Sequence, residues 1–195
     1  MAAREAAISL WNSICEVCEI MYQFRNDYSF GAHPKVLEAL AATNLEGNIG
    51  YGGDPYCDRA ADRIRQLCGC PQAEVQFLIG GTQVNFTAIA ALLRPWEGVI
   101  CPATAHINGH EAGAVEATGH KLIPLPAGRD GKLTPAAVAA AVKEYDNPHL
   151  VRPGLVYISQ ATENGAGYTL AELEALSALC REISRFLFVD GAWLG

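Results

Sequence analysis

Short, continuous apolar runs alternate along this chain with stretches of helical periodicity. Continuous apolar runs are typical of strands buried on both faces of a parallel sheet, because apolar and polar residues alternate only where one face meets water. The helical stretches between them would cover the two faces of that sheet. The pattern predicts a three-layer α/β/α domain with a mostly parallel sheet. The predicted strands are residues 75–79, 99–101, 121–125, 155–159 and 186–189.

The predicted helices fill the intervals, and two of them carry clear start signals. Thr134 precedes Pro135, which combines a capping hydroxyl with proline at the first helical position. Thr169 stands three residues before Glu172, the spacing of a capping box. A glycine-rich loop is predicted for residues 46–55. The predicted helices begin at residues 33–34, cover 56–67, 83–93 and 108–118, begin again at 134–135, and cover 169–183.

The first 20 residues differ from the rest of the 195-residue chain. Their apolar positions fit a short amphipathic helix, which is either an N-terminal extension or a first helix docked on the domain. Residues 21–195 have the length of one domain with one core. We interpret them as an incomplete large domain, because the sequence stops directly after a predicted buried strand rather than at a domain boundary.

Composition and charge narrow the possible partners. The formal net charge is -7 and no basic stripe is present, which argues against nucleic acid as a partner. No apolar run approaches the roughly 20 residues that a membrane span needs. The seven cysteines are an odd, scattered set, which favours reduced thiols in a cytoplasmic protein. Cys15 and Cys18 have metal-ligand spacing, but without a histidine partner we predict no metal site.

Gly80, Gly81 and Thr82 connect a predicted strand to a predicted helix. Glycine allows the backbone to approach a ligand closely, and the free amides at a helix N-terminus favour an anion. The Thr82 hydroxyl could add a hydrogen bond. The segment has neither the phosphate-loop pattern nor the dinucleotide fingerprint. It is therefore a candidate phosphate cradle, and a simple tight turn is the alternative.

Two further polar residues follow predicted strands, where ligands bind in open α/β sheets. His106 follows the strand at 99–101 and could stack on an aromatic ring, or serve as a cap. Asp190 ends the strand at 186–189, where a carboxylate needs a partner or caps a loop. An anion site, a stacking imidazole and a strand-end carboxylate together match what a phosphorylated pyridine requires. That combination indicates pyridoxal 5'-phosphate (PLP), whose protonated ring accepts electrons.

Residues 22–195 resemble the fold-type-I PLP enzymes, and most closely the threonine aldolase / β-eliminating lyase family. Five segments carry the resemblance, in the same order and with similar spacing over the whole region. They are Phe24-Arg25-Asn26-Asp27-Tyr28-Ser29, Tyr51-Gly52-Gly53-Asp54-Pro55-Tyr56, Gly80-Gly81-Thr82-Gln83-Val84-Asn85, Ala105-His106 with Glu111-Ala112-Gly113, and Phe188-Val189-Asp190-Gly191-Ala192.

The resemblance implies a role for each candidate residue. Gly81 and Thr82 would bind the cofactor phosphate, His106 would stack on the pyridine ring, and Asp190 would pair with the ring nitrogen. Asn26 falls where the family often has a serine near the substrate carboxylate. The loop at residues 51–56 would help form the site at a subunit interface, which implies a homodimer or homotetramer. The implied reaction cleaves β-hydroxy-α-amino acids, such as threonine, to glycine and an aldehyde.

The sequence departs from the family pattern at three places. Trp193 stands where the family usually has an arginine that contacts the cofactor. Glu163 replaces a histidine that handles the substrate hydroxyl, and it could act as a base. The family's Schiff-base lysine lies downstream of the Asp-Gly-Ala segment, and none of the lysines fits its position. The four lysines are Lys35, Lys121, Lys132 and Lys143.

These departures keep several hypotheses open. The first is a fragment of a PLP-dependent lyase acting on an amino acid. The second is another PLP reaction on the same scaffold, such as β-elimination, racemisation or amino-group transfer. The third is a non-catalytic truncated paralogue that keeps a dimerisation surface or binds PLP weakly. A dinucleotide-binding domain is disfavoured because its glycine fingerprint is missing.

Overall fold

A computed structural model of the chain describes residues 26 and 28–192. The chain divides into two compact units, residues 1–58 and residues 59–195. The predicted helix within residues 1–20 and the side chain of Trp193 lie outside the described residues. Within the described part of the chain, no helix has the length and apolar character that a membrane crossing requires.

The first unit contains helix α1, Pro34–Thr43, and the start of helix α2, Pro55–Leu67. His33 caps α1, since its Nδ1 accepts a hydrogen bond from the amide of Lys35 at 3.2 Å. Asp54 precedes α2, and its Oδ1 accepts from the amides of Tyr56 and Cys57 at 2.9 and 3.0 Å. Its hydrogen bonds to Cys57 lower the pKa of the Asp54 carboxyl. Both helix starts lie within a residue of their predicted positions.

The second unit is built on a parallel sheet of four strands. The strands are β1, Glu97–Pro102; β2, Leu122–Leu125; β3, Arg152–Ser159; and β4, Phe186–Asp190. Their order across the sheet is β2-β1-β3-β4, and every pair is parallel. Parallel strands carry their carboxyl ends to one edge of the sheet, so residues that follow β1, β3 and β4 gather there. The four predicted strands after residue 95 are confirmed.

Helices cover both faces of this sheet, which confirms the three-layer prediction. The helices are α3, Gly81–Leu92; α4, His106–Gly109; α5, Pro135–Glu144; and α6, Leu170–Glu182. One face packs Val99, Leu155 and Tyr157 against Ile89 of α3. The opposite face packs Ile100, Val156 and Ile158 against Val138 of α5 and Leu176 of α6. Successive strand residues therefore enter opposite cores, which is why the strands read as continuous apolar runs.

The capping predictions for α5 and α6 hold at atomic detail. The Thr134 side chain accepts from the amide of Ala137, and Pro135 opens α5. Thr169 and Glu172 form a reciprocal capping box at the start of α6. These local signals depend on residues three positions apart, so tertiary contacts are not needed to predict them.

Two predicted elements are wrong. Residues 75–79 form no strand, and Phe77 and Ile79 are 47% and 97% exposed. A strand exists only where another strand pairs with it, and none of the described strands does so. The predicted helix at 108–118 is only the short α4 and a 3-10 turn at Glu116–Thr118. It breaks because Ala112 and Gly113 adopt positive φ, at 53° and 76°.

Candidate active site

Asp190, the last residue of β4, carries a carboxylate at the carboxyl edge of the sheet. Its Oδ2 accepts from the Tyr157 hydroxyl at 2.6 Å and from Nδ2 of Asn85 at 3.2 Å. Its Oδ1 accepts from the amide of Ala192 at 3.2 Å. A carboxylate offers about four acceptor positions, and these contacts use three. One acceptor position on Oδ1 is therefore left for an outside donor.

Tyr157 supports Asp190 from the neighbouring strand β3. The residue is fully buried, and its ring stacks on Phe188 with centroids 5.5 Å apart. Burial raises the pKa of the Tyr157 phenol, and the hydrogen bond to Asp190 and its charge raise it further. The phenol therefore stays protonated, and Tyr157 acts as a permanent hydrogen-bond donor to the carboxylate.

Asn85 connects the carboxylate to helix α3. Asn85 is buried, and its Nδ2 donates to Oδ2 of Asp190 at 3.2 Å and to Oε1 of Glu111 at 2.7 Å. Asn85 lies four residues after Gly81, which is one turn and about 6 Å along the helix axis. The N-terminus of α3 therefore lies within one helical turn of the side chain that binds Asp190.

The N-terminus of α3 is open to a ligand. Gly80 precedes the helix in an extended conformation, and no side chain caps the first turn. The first amides of a helix have no intrahelical partner, so they point toward whatever occupies this space. A Cβ atom added at Gly80 or Gly81 would meet no atom within 4 Å. The first turn is thus an uncapped cluster of donors with clear space in front of it, as an anion site requires.

His106 begins α4, four residues after the last residue of β1. Its amide donates to Oε1 of Glu163 at 2.7 Å, and its Nδ1 lies 2.8 Å from Oε1 of Glu111. The His106 side chain is 49% exposed, whereas the Glu111 side chain is completely buried. One edge of the imidazole is therefore held by protein, and about half of its surface is available to a ligand.

Glu163 follows β3 and is itself exposed. Its Oε1 accepts from the Ser159 hydroxyl at 2.6 Å as well as from the amide of His106. Through these two bonds the carboxylate joins the end of β3 to the turn that carries His106. Glu163 thus lies beside His106. Its predicted role as a base toward the substrate hydroxyl stays a prediction.

The structure brings together five of the six residues that the sequence predicted for the site. Asp190, His106 and Glu163 meet at the sheet edge, and Gly81 and Thr82 lie one turn before Asn85 on α3. Asn26 belongs to the first unit, where its Oδ1 accepts from the amide of Tyr28 and the hydroxyl of Ser29. Its role toward a substrate stays a prediction.

Three further residues escaped the sequence reasoning. Asn85 and Tyr157 read as an ordinary helix residue and an ordinary strand residue. No role for Glu111 follows from the sequence alone, yet only 6% of the residue is exposed. The available signal was position, since Asn85 lies one turn into the helix that follows the glycines. The alternation along β3 also places Tyr157 on the same face as Ser159, next to the strand end.

PLP fits these groups on structural grounds. The phosphate would meet the open first turn of α3, where no side chain and no Cβ intrudes. The ring nitrogen would meet the remaining acceptor position of Asp190. The His106 side chain, 49% exposed, would offer a flat surface for the pyridine ring. The helical turn between Gly81 and Asn85 provides the separation between a phosphate and a ring.

Comparison with known proteins agrees with this arrangement. Residues 23–194 match the β-eliminating lyase family. The low-specificity L-threonine aldolase of Pseudomonas aeruginosa is 39% identical over 172 residues, covering 87% of this chain and 49% of that protein. The chain therefore spans about half the length of the curated relatives that it matches.

Solved structures give the same result. A threonine aldolase of Leishmania major superimposes with a TM-score of 0.86 and 49% identity, covering 89% of this chain and 51% of that one. The aspartate aminotransferase of Rhizobium meliloti superimposes with a TM-score of 0.68 at 21% identity, over 83% and 41% of the two chains. At that identity, the second match bears on the fold alone.

Proposed function

Because this chain belongs to the β-eliminating lyase family, we propose that it forms the cofactor-binding part of a PLP-dependent, threonine aldolase-like lyase. The substrate would be a β-hydroxy-α-amino acid, cleaved to glycine and an aldehyde. One observation carries the proposal: Asp190 keeps a free acceptor position and is bound by Asn85, which lies one turn after the uncapped start of α3. The threonine aldolases of P. aeruginosa and L. major, both similar over more than four fifths of this chain, support the choice of reaction.

Gly81 and Thr82 would hold the cofactor phosphate. Backbone amides at a helix start and the positive end of the helix dipole both favour an anion. The missing side chain at Gly81 allows the phosphate to approach the amides. The Thr82 hydroxyl would donate one further hydrogen bond. This anchoring needs no lysine, so the phosphate end can bind to this chain without a covalent link.

Asp190 would hold a proton on the pyridine nitrogen of the cofactor. Its carboxylate is kept in place by Tyr157 and Asn85, and its Oδ1 would accept from the ring N–H. When bound, PLP supplies an electron sink for the bond that breaks at the α-carbon of the amino acid. The charge of Asp190 would stabilise the protonated ring throughout.

His106 and Glu163 would act on the open side of the ring. The imidazole would cover one face of the cofactor and exclude water from it. Glu163 would accept a proton from the substrate hydroxyl, because it is exposed and lies beside His106. Its Oε1 is occupied by two donors, which leaves Oε2 as the oxygen for that task.

A neighbouring subunit would also take part in the site. Asn26 would contact the substrate carboxylate, and the loop at residues 51–56 would complete the site of a neighbouring subunit in a homodimer or homotetramer. Cytoplasmic location is supported by the described cysteines, Cys57, Cys68, Cys70, Cys101 and Cys180, which are free thiols.

The direct experiment supplies the half of the fold that the relatives possess beyond the matched region. The chain is fused to the corresponding second half of the P. aeruginosa relative, reconstituted with PLP, and given L-threonine or L-allo-threonine. We expect release of glycine and acetaldehyde. The Asp190→Ala fusion should lose about 100-fold or more in rate, the usual cost of removing a key charge-stabilising group.

Product analysis separates the alternatives. Release of ammonia and a keto acid would indicate β-elimination, and appearance of the opposite enantiomer would indicate a racemase. A folded fusion that binds PLP and converts none of these amino acids would contradict the proposed lyase. The fusion with Glu174→Gln, a substitution on α6 outside the site, serves as a control and should keep full activity.

A further inference from the structure

Glu111 is a buried carboxylate that the proposed roles do not use. Its side chain is completely buried, and its Oε2 has no hydrogen-bond partner among the described residues. Burying a carboxylate with an unsatisfied oxygen costs stability. A residue that lowers stability in this way points to a function, since an apolar side chain of the same size would pack without the cost.

The contacts of Glu111 identify that function. Its Oε1 lies 2.8 Å from Nδ1 of His106 and accepts from Nδ2 of Asn85 at 2.7 Å. The orientation of the Asn85 amide is set by its two neighbours, because only the NH2 group can face two carboxylates. Oε1 of Glu111 is therefore an acceptor toward Asn85, and the same oxygen faces the imidazole nitrogen.

We propose that Glu111 is a positioning residue that keeps a proton on Nδ1 of His106 and ties the orientation of the ring, through Asn85, to Asp190. The hydrogen bond made by one ring nitrogen decides which nitrogen carries the proton. With the proton on Nδ1, the lone pair of the neutral ring lies on Nε2. His106 then offers a hydrogen-bond acceptor, rather than a donor, to a ligand.

Asn85 links Glu111 to Asp190. A single amide nitrogen donates to both Glu111 and Asp190, so one rigid side chain sets the distance between the two carboxylates. The imidazole that would cover the cofactor ring and the carboxylate that would hold its nitrogen are thereby placed by the same helix, α3. The role of Asn85 in placing both groups around a cofactor rests on the proposed PLP site. The presence of a proton on Nδ1 of His106 does not.

The proton position can be read without any ligand. In the full chain labelled with 15N, two-bond nitrogen–proton correlations of the histidine rings report which nitrogen is protonated. Two internal references are available. Nδ1 of His120 lies 2.9 Å from the carbonyl oxygen of Glu97, so it must carry a proton. Nδ1 of His33 accepts from the Lys35 amide, so that ring must be protonated on Nε2 when neutral.

A matched pair of substitutions tests the cause. Glu111→Gln keeps an acceptor oxygen facing Nδ1, whereas Glu111→Met keeps the volume and removes the acceptor. In the wild type and in Glu111→Gln, we expect the correlations of His106 to show a proton on Nδ1, as for His120. In Glu111→Met, we expect them to shift toward a mixture of the two tautomers. Glu116→Met changes an exposed carboxylate five residues later and should leave His106 unchanged.

Two results would overturn the inference. One is a wild-type His106 that resembles His33, with Nδ1 lacking a proton. The other is an unchanged His106 signal in a folded Glu111→Met variant. If that variant does not fold, the wild-type spectrum decides alone. PLP titration of the same samples tests the proposed function separately, because a chain that binds no PLP can still show the Nδ1 proton.

Discussion

The hydroxyl of Tyr157 lies 2.6 Å from Oδ2 of Asp190, across the boundary between strands β3 and β4. In the register of the sheet, Tyr157 is opposite Phe188, and Asp190 is opposite Ser159. Tyr157 and Asp190 are therefore diagonal neighbours on one face of the sheet. This relationship places a donor that cannot ionise at ordinary pH beneath the Asp190 carboxylate, which would hold the ring nitrogen of the cofactor.

Removing that hydroxyl should affect both stability and the cofactor. Tyr157→Phe keeps the ring in the core and deletes one hydrogen bond to a charged group, which typically contributes about 1.5–3 kcal/mol. We expect a lower free energy of unfolding in urea and weaker PLP binding. Tyr168→Phe is the matched control, because Tyr168 is also buried and its hydroxyl accepts from the amide of Leu133, outside the proposed site. Equal PLP affinity in wild type and Tyr157→Phe would contradict this role.

Gly81 should show opposite effects on stability and on binding. Gly81→Ala adds a methyl group where no atom lies within 4 Å, and replacing glycine by alanine at a compatible position typically stabilises a protein by about 0.4–1 kcal/mol, because it restricts the unfolded chain. The same methyl group would occupy space that the phosphate needs. We expect the melting temperature to rise while the dissociation constant for PLP increases severalfold. A variant that binds PLP as tightly as wild type would place the phosphate elsewhere.

Acid should weaken the chain through Glu172. The hydrogen bond from Lys132, 2.8 Å away, is the main cause that lowers the pKa of Glu172 from 4.5 to about 2. A carboxyl whose folded pKa is lowered stabilises the fold above its unfolded pKa, and this contribution is lost as the pH falls. The loss should therefore occur between about pH 4.5 and pH 2.

Glu172→Gln tests this assignment, since glutamine can still serve in the capping box with Thr169. We expect unfolding free energies measured across the acid range to fall less steeply in the variant than in the wild type. Lys132→Met should reduce the slope in the same way, because it removes the partner. If the free energy of unfolding falls with pH in the same way for all three proteins, the Lys132–Glu172 pair does not control stability in acid.

The outer edge of the sheet should promote self-association. β4 is the last strand on its side among the described residues, and Val189 on this strand is 39% exposed. A groove of about 300 Å³ runs between α6 and β4 and is lined by Leu173, Leu187 and Val189 among others. An open edge of this kind pairs readily with another chain, and lysine on the edge prevents it. The wild-type chain should associate in solution, and Val189→Lys should have a lower sedimentation coefficient than the wild type at the same concentration. A wild type that sediments as a monomer at all concentrations would contradict the expectation.

The sequence predicted most of the sheet and the capped helices, because the signals are local. An apolar run such as 155–159 or a capping pair such as Thr169 and Glu172 does not depend on distant partners. Residues 75–79 have the composition of a strand but pair with none of the described strands, and composition carries no information about pairing. Ala112 and Gly113 turn the chain where periodicity alone continued the helix.

Some residues of the candidate site could be predicted from the sequence and others could not. His106 follows β1 and Asp190 ends β4, so the parallel topology alone brings them to one edge of the sheet. Glu111 and Asn85 were missed because their roles come from contacts between residues 26 positions apart. Burial of a carboxylate cannot be read from a glutamate in a polar stretch, and only the folded chain shows which donors surround it.

In the proposed site Asp190 keeps a proton on the cofactor ring, and the ring nitrogen itself can report this. PLP labelled with 15N at the pyridine nitrogen is bound to the chain, and its nitrogen chemical shift is compared between wild type and Asp190→Ala at neutral pH. We predict the shift of a protonated pyridine in the wild type and of an unprotonated one in the variant. The same unprotonated shift in both proteins, with PLP bound to both, would contradict the account.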